Sequence, residues 1–134
     1  MYNSLSQQNR YLKMKRTPLE LFFAKSLKMA RSRNKMKGMA NDDNVTVAYL
    51  VGLFHGQNGL CFFTGEPMTL ERGLVTTDGK EHVRHELCTM DRINNRMGYD
   101  VGNINLTCDG INRMRGNMSM PRFQSLCRKI GVAA

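Results

Sequence analysis

The feature that most constrains the fold is a short alternating segment that runs directly into a helical one. In Asn103-Ile104-Asn105-Leu106-Thr107-Cys108, Ile104 and Leu106 point one way and Asn103, Asn105 and Thr107 the other, the period of a strand. Asp109 follows as a helix cap, and the helix holds Ile111, Asn112, Met114 and Arg115. Upstream, Asp78-Gly79 is the two-residue signal for a tight hairpin. Its second arm is read as one long strand from Glu81 to about Arg92, rich in mixed polar residues. Asn94-Asn95 and Gly98-Tyr99 then turn the chain toward the strand at 103–108. Polar side chains gather on this strand–loop–strand–helix stretch, residues 85–117, and the chemistry is expected there.

The flanks read as helices. Residues 1–16 are polar and basic with no apolar period, which suggests a flexible arm. Thr17 and Pro18 open a helix as N-cap and first helical residue. Leu19, Phe22, Phe23, Ser26, Leu27 and Ala30 form its buried face, and Gly38 ends it. Asp42, Asp43 and Asn44 are candidate caps for a second helix with the stripe Val47, Leu50, Val51 and Phe54, broken by Gly56 and Gly59. Ser119 and Pro121 start a last helix, where Phe123, Leu126, Cys127 and Ile130 make an apolar stripe before Gly131. The expected order is helix, helix, hairpin, strand, strand, helix, helix, in one α+β domain over residues 1–134. Its parts are an arm at 1–16, two helices at 17–57, a core at 60–117 and a closing helix at 119–131. The eleven methionines are scattered and read as adaptable core filler.

Composition narrows the class. With 41% apolar residues the chain can bury a core and is not a disordered one. No run approaches the roughly 20 apolar residues of a membrane span. The opening MYNSLSQQNR lacks the apolar centre of a signal peptide, so a cytoplasmic chain is expected (in the host cytoplasm if phage-encoded). The four cysteines, Cys61, Cys88, Cys108 and Cys127, then read as reduced thiols rather than a disulfide frame. Charge is uneven. Residues 1–40 hold ten basic side chains and one acid, Glu20, while the remainder carries ten of each sign. The net charge of +9 therefore rests on the first third, including Lys25, Lys28, Arg31, Arg33, Lys35 and Lys37. Cations clustered this way gain affinity for a phosphate backbone by counterion release.

Residues 89–115 carry a resemblance to a known family. Thr-Met-Asp-Arg-Ile-Asn-Asn, Gly-Tyr, Gly-Asn-Ile-Asn-Leu-Thr-Cys and Asn-Arg-Met-Arg resemble the ββα-metal (His-Me finger) core of HNH endonucleases. The similarity is to a phage and bacterial branch that reads Ser-x-Asp-Arg-Ile-Asp, Gly-Tyr, Gly-Asn-Val and Asn-Arg-x-Lys. It extends to the basic helix ending near Lys37-Gly38, to Cys61-x-x-Thr64-Gly65 and to Phe-x-x-Leu-Cys-Arg at 123–128, so it covers roughly residues 18–130. The resemblance implies hydrolysis of phosphodiester bonds in double-stranded DNA with one Mg²⁺ or Mn²⁺, held by Asp91 and Asn112. It makes Asn103 a clamp between its strand and the preceding loop, and Arg113 and Arg115 candidate grips on phosphate.

The sequence departs from the pattern in two places. Arg92 stands where most HNH enzymes carry the His that deprotonates water, and a guanidinium cannot act as a base, although it can stabilise transition-state charge. Asn94 replaces the branch's second Asp. Candidate bases are His85, on the strand face shared with Asp91, then His82 and His55; proton loss to solvent or to the substrate phosphate is a further route. A structural zinc is not expected. Cys61 and Cys108 match the first members of two Cys-x-x-Cys pairs, but Thr64 and Ile111 replace the second members, and Cys88 and Cys127 read as packing residues. Three functions follow: a metal-dependent DNA endonuclease, an HNH-fold nucleic-acid binder without the chemistry, and an RNA-directed nuclease or binder. With 7% aromatics and no Trp, the sequence offers no evident base-stacking platform for single strands. A homodimer or a protein partner is compatible with all three.

Overall fold

A computed structural model describes residues 16–36 and 44–133, the side chains of 35 and 36 excepted. The chain begins with α1 (Pro18–Met36). Thr17 Oγ1 accepts the Glu20 N–H at 3.2 Å, and Glu20 Oε1 accepts the Thr17 N–H at 3.2 Å. This reciprocal capping box satisfies two donors that a helix start otherwise leaves unpaired. The helix α2 (Val47–Gly56) is capped by Thr46, whose side chain accepts from the Tyr49 N–H. The cap is therefore Thr46, not Asn44, and 42 and 43 lie outside the described residues, as do Gly38 and the arm at 1–15.

Phe22, Phe23, Leu27 and Ala30 of α1 are buried against Leu50 of α2 and against Met90, Ile104 and Leu106, in one apolar cluster. The rings of Phe23 and Phe54 meet edge to face at 6.1 Å, joining the two helices. Arg72 fixes α1 from outside. Its Nη2 donates to Phe22 O and Ser26 Oγ, both at 2.8 Å, and its guanidinium lies 4.1 Å from the Phe22 ring centroid.

Two separate ribbons follow. The first pairs β1 (Leu74–Thr77) with β2 (Lys80–Val83) around Asp78 and Gly79, whose φ values of 52° and 75° are those of the mirror-image turn that favours this dipeptide. The second pairs β3 (Cys88–Arg92) antiparallel with β4 (Ile104–Cys108), in the register Cys88↔Cys108 to Arg92↔Ile104. The long strand expected from Glu81 to Arg92 is thus two strands. Four consecutive carbonyls between them are turned elsewhere: Arg84 to the Leu87 N–H, His85 to Gly110, Glu86 to Thr69, and Leu87 to Asp109. A straight strand cannot serve four such partners.

β4 leads without a linker into α3 (Asp109–Arg115), with Cys108 at the cap position, so Asp109 is the first helical residue rather than the cap. A turn then leads to α4 (Met120–Ala133), capped by Ser119 Oγ, which accepts the Arg122 N–H at 3.3 Å. Of the expected α4 stripe only Phe123 is buried; Cys127 and Ile130 are exposed. α4 continues past Gly131. Among the described residues no helix is long and apolar enough to cross a membrane.

Phe23→Ala is expected to destabilise the fold by about 3–5 kcal/mol in urea unfolding. Leu21→Ala, on the exposed face of the same helix, should change stability by under about 0.5 kcal/mol.

Candidate active-site cleft

The ribbon and α3 are aligned along their length. The N–H groups of Asp109 and Gly110 donate to Leu87 O and His85 O at 2.8 and 3.1 Å, Asn112 Nδ2 donates to Thr89 Oγ1 at 3.4 Å, and Arg115 reaches Asp91. α3 therefore runs beside β3 in the same direction, and each of its inward side chains has its own partner on the strand. Asp91 and Asn112 face the same side of the ribbon but meet different groups.

Asp91 is 4% exposed and Arg115 1%. Arg115 Nη1 donates to both Asp91 oxygens at 2.7 Å and to Arg92 O at 2.6 Å. Its Nη2 donates to Ile93 O and Asn95 Oδ1, and its Nε to Met118 O. Burial pushes the Asp91 carboxyl above its ordinary range, opposed by the Arg115 guanidinium and, more weakly, by Arg92. Arg115 is thus a buried internal partner, which corrects its expected placement on a phosphate. Asp91, expected on the metal, has a cation against both of its oxygens.

Asn112 lies in a different environment. With Thr89 it lines a cleft of about 440 Å³ between α1 and the β3–α3 face, whose other polar walls are Ser26, Arg33, Arg72, Arg113, Asp109 and Tyr99. Asp109 is ion-paired at 2.7 Å with the largely exposed Arg113. Three guanidiniums against one carboxylate make the cleft cationic. Thr89, Asp109, Tyr99 and Arg72 were not singled out as site residues from sequence. Asp109 lies three residues before Asn112 and Thr89 two before Asp91, and those spacings mark shared faces of a helix and a strand.

The remaining expected residues are dispersed. His85 lies in the turn before β3, its ring packed on Gly110 and its Nε2 4.0 Å from Glu66 Oε2. It stands at the start of α3, whereas Asp91 is at the other end, about 10 Å away along a seven-residue helix. The shared strand face expected for the two is absent because the strand is broken between them. His82 bonds Val83 O and Thr77 Oγ1 on the outer hairpin, and His55 ends α2. No histidine lines the cleft. Arg92 reaches Asn95 O and Met97 O at 3.4 and 3.5 Å and lies 5.5 Å from the Tyr99 ring centroid. Asn103 Nδ2 donates to Gly98 O and Asn94 O, and its Oδ1 accepts the Asn94 N–H at 2.8 Å, tying the β3–β4 loop. On α1, Lys25, Lys28 and Arg33 are exposed, and Arg31 donates to Val45 O. Lys37 and the Lys35 side chain lie outside the described residues.

The cysteines form a separate cluster. Cys61 Sγ accepts the Cys108 N–H at 3.3 Å. Burial alone would raise the Cys61 thiol, but hydrogen bonds from Thr64, Cys108 and Phe63 bring it below its ordinary value. Burial pushes the Cys88 and Cys108 thiols up to about 12. The exposed Cys127 is not the packing residue expected from its stripe. Among the described residues no three His, Cys, Asp or Glu side chains are grouped to hold a metal ion.

No protein-family model matches the sequence, and no curated protein matches it. A solved structure does match: PacI, a rare-cutting HNH restriction endonuclease whose structure is described as exhibiting an extraordinary mechanism of DNA perturbation. The match has a TM-score of 0.54 at 22% identity and covers 82% of this chain and 77% of that one. The chain shares the fold of that protein. At this identity the likeness is one of architecture, and the roles of individual side chains rest on the geometry above.

Arg115→Met should cost about 3–5 kcal/mol in urea unfolding, because it leaves Asp91 as an uncompensated buried charge. The double variant Asp91→Leu/Arg115→Met should cost less than the two single changes added together; additivity would show that the pair is not coupled.

Proposed function

We propose that the chain is an HNH-type nuclease that hydrolyses the backbone of double-stranded DNA, working as a single domain. The observation that carries this reading is the cationic cleft on the β3–α3 face of an HNH fold, with Asn112 and Thr89 in its lining and Arg33, Arg72 and Arg113 around them. The exposed cations of α1, Lys25 and Lys28 among them, extend the same charge outward and would supply sequence-independent affinity.

The divalent ion implied by this class does not suit Asp91, whose oxygens already face a guanidinium. It suits the cleft better. Mg²⁺ and Mn²⁺ take hard oxygen ligands, commonly one or two carboxylates with the rest from substrate phosphate and water. Asp109, Asn112 and Thr89 offer one carboxylate, one amide oxygen and one hydroxyl in the cleft wall. When bound there, such an ion would polarise the phosphodiester and ease deprotonation of water. The protein's own groups do the rest. Arg33 and Arg113 would hold non-bridging phosphate oxygens, and Asp109, now paired with Arg113, would be the carboxylate available to the ion. Arg92 steadies Tyr99 in the cleft wall. With no imidazole present, the proton leaves to solvent or to a substrate phosphate oxygen.

A second reading, an HNH-fold DNA binder without hydrolysis, is favoured by the Asp91–Arg115 pair and by Arg92 at the usual base position. Plasmid cleavage with Mg²⁺ or Mn²⁺ separates the two. The nuclease reading expects nicked or linear product, reduced about 100-fold or more by Asn112→Ala or Asp109→Asn. An intact plasmid under both ions, with retained salt-dependent binding, would establish the binder. In either case, replacing Lys25 and Lys28 with Ala should flatten the slope of log affinity against log salt, by roughly 0.9 for each phosphate that the variant no longer neutralises.

A further inference from the structure

A second cavity of about 560 Å³ lies between the β3–β4 loop and the α3–α4 turn. Its polar lining is Asn94, Asn95, Arg96, Asn117 and Ser119, over an apolar floor that includes Ile93 and Pro121. Both walls are fixed by one residue. Arg115 donates to Ile93 O and Asn95 Oδ1 on the loop side and to Met118 O on the turn side, and Asn95 Nδ2 donates across to the same Met118 carbonyl at 3.2 Å. The separation of the walls is therefore set from within the protein.

The groups facing this cavity keep unused capacity. Asn94 Oδ1 accepts the Arg96 N–H, and Ser119 Oγ accepts the Arg122 N–H, which leaves the Asn94 amide hydrogens and the Ser119 hydroxyl hydrogen as donors. The Arg96 guanidinium and the Asn117 carboxamide make no hydrogen bond or ion pair among the described residues. Carboxamides present a donor beside an acceptor, the complement of an adenine edge, and a guanidinium forks onto a guanine edge. A phosphate would call for donors alone and would be repelled by the Asn117 oxygen, whereas the apolar floor suits a thymine methyl or a base face.

We infer that this cavity reads base edges in a DNA groove, with Arg96 and Asn117 as the specificity-determining side chains and Asp91 and Arg115 as the positioning pair behind them. The inference rests on the reading of the chain as a protein of double-stranded DNA, whether or not it cleaves, and gives it a sequence preference without a separate recognition module.

The test is selection from a randomised duplex library in metal-free buffer, followed by affinity for the enriched duplex against a mixed-sequence duplex. The wild type should enrich a short sequence. Arg96→Ala and Asn117→Ala, both at exposed positions, should each reduce the ratio of the two affinities by roughly 10-fold, with the melting temperature unchanged and, for Asn117→Ala, the salt slope also unchanged. Duplex binding with no enriched sequence would overturn the inference while leaving the proposed function standing. So would variants that weaken both duplexes alike, which would mark a backbone contact. A wild type that binds no duplex would overturn the proposed function and this inference together.

Discussion

The ion pair between Asp91 and Arg115 is the interaction on which the functional half of the molecule depends. Two opposite charges held almost without solvent are costly unless every remaining donor is also met, and here Arg115 satisfies Asp91, three backbone carbonyls and the Asn95 amide oxygen. Those partners lie at the end of β3, in the loop after it and in the turn after α3. One guanidinium therefore fixes the angle between ribbon and helix, the course of the Ile93–Asn95 segment and the approach of the α3–α4 turn. With α1 held by Arg72 on one side and these loops held by Arg115 on the other, the ribbon and α3 sit in a frame braced at both ends.

That frame divides the polar surface in two. On the α1 side, Thr89 and Asn112 meet each other in a cleft rimmed by guanidiniums. On the loop side, carboxamides line a cavity whose one fixed charge is Arg96. A cationic cleft suits the backbone, which every sequence shares, and a carboxamide cavity suits base edges, which differ. The buried pair lines neither of the two.

Much of this was legible in the sequence, and the exceptions have physical causes. The order of elements could be read because its signals are local: the Thr17 cap followed by Pro18, the positive φ that Asp78-Gly79 tolerates, and the alternation at 103–108. The break in the strand at 84–87 could not. No Gly or Pro marks it, and it arises because carbonyls there are claimed by Thr69, Asp109 and Gly110, residues distant in the chain. That break also displaced His85 from the face of Asp91. The destination of Arg115 was hidden for a related reason. A cation at the end of a short helix reads as a surface group, and only the closeness of the ends of β3 and α3 makes it an internal one. In α4 the three-and-four spacing reported the helix correctly but not what it packs against, so Ile130 and Cys127 proved exposed.

The central claim is that Asp91 serves Arg115 and that any catalytic ion is held from the α1-side cleft instead. The most direct measurement is a crystal structure with Mn²⁺ and a short duplex, using the anomalous signal to locate the ion. The account predicts density beside Asn112 and Asp109, with both Asp91 oxygens still on Arg115 Nη1. A peak on the Asp91 carboxylate, with the Arg115 guanidinium swung away from it, would contradict the account.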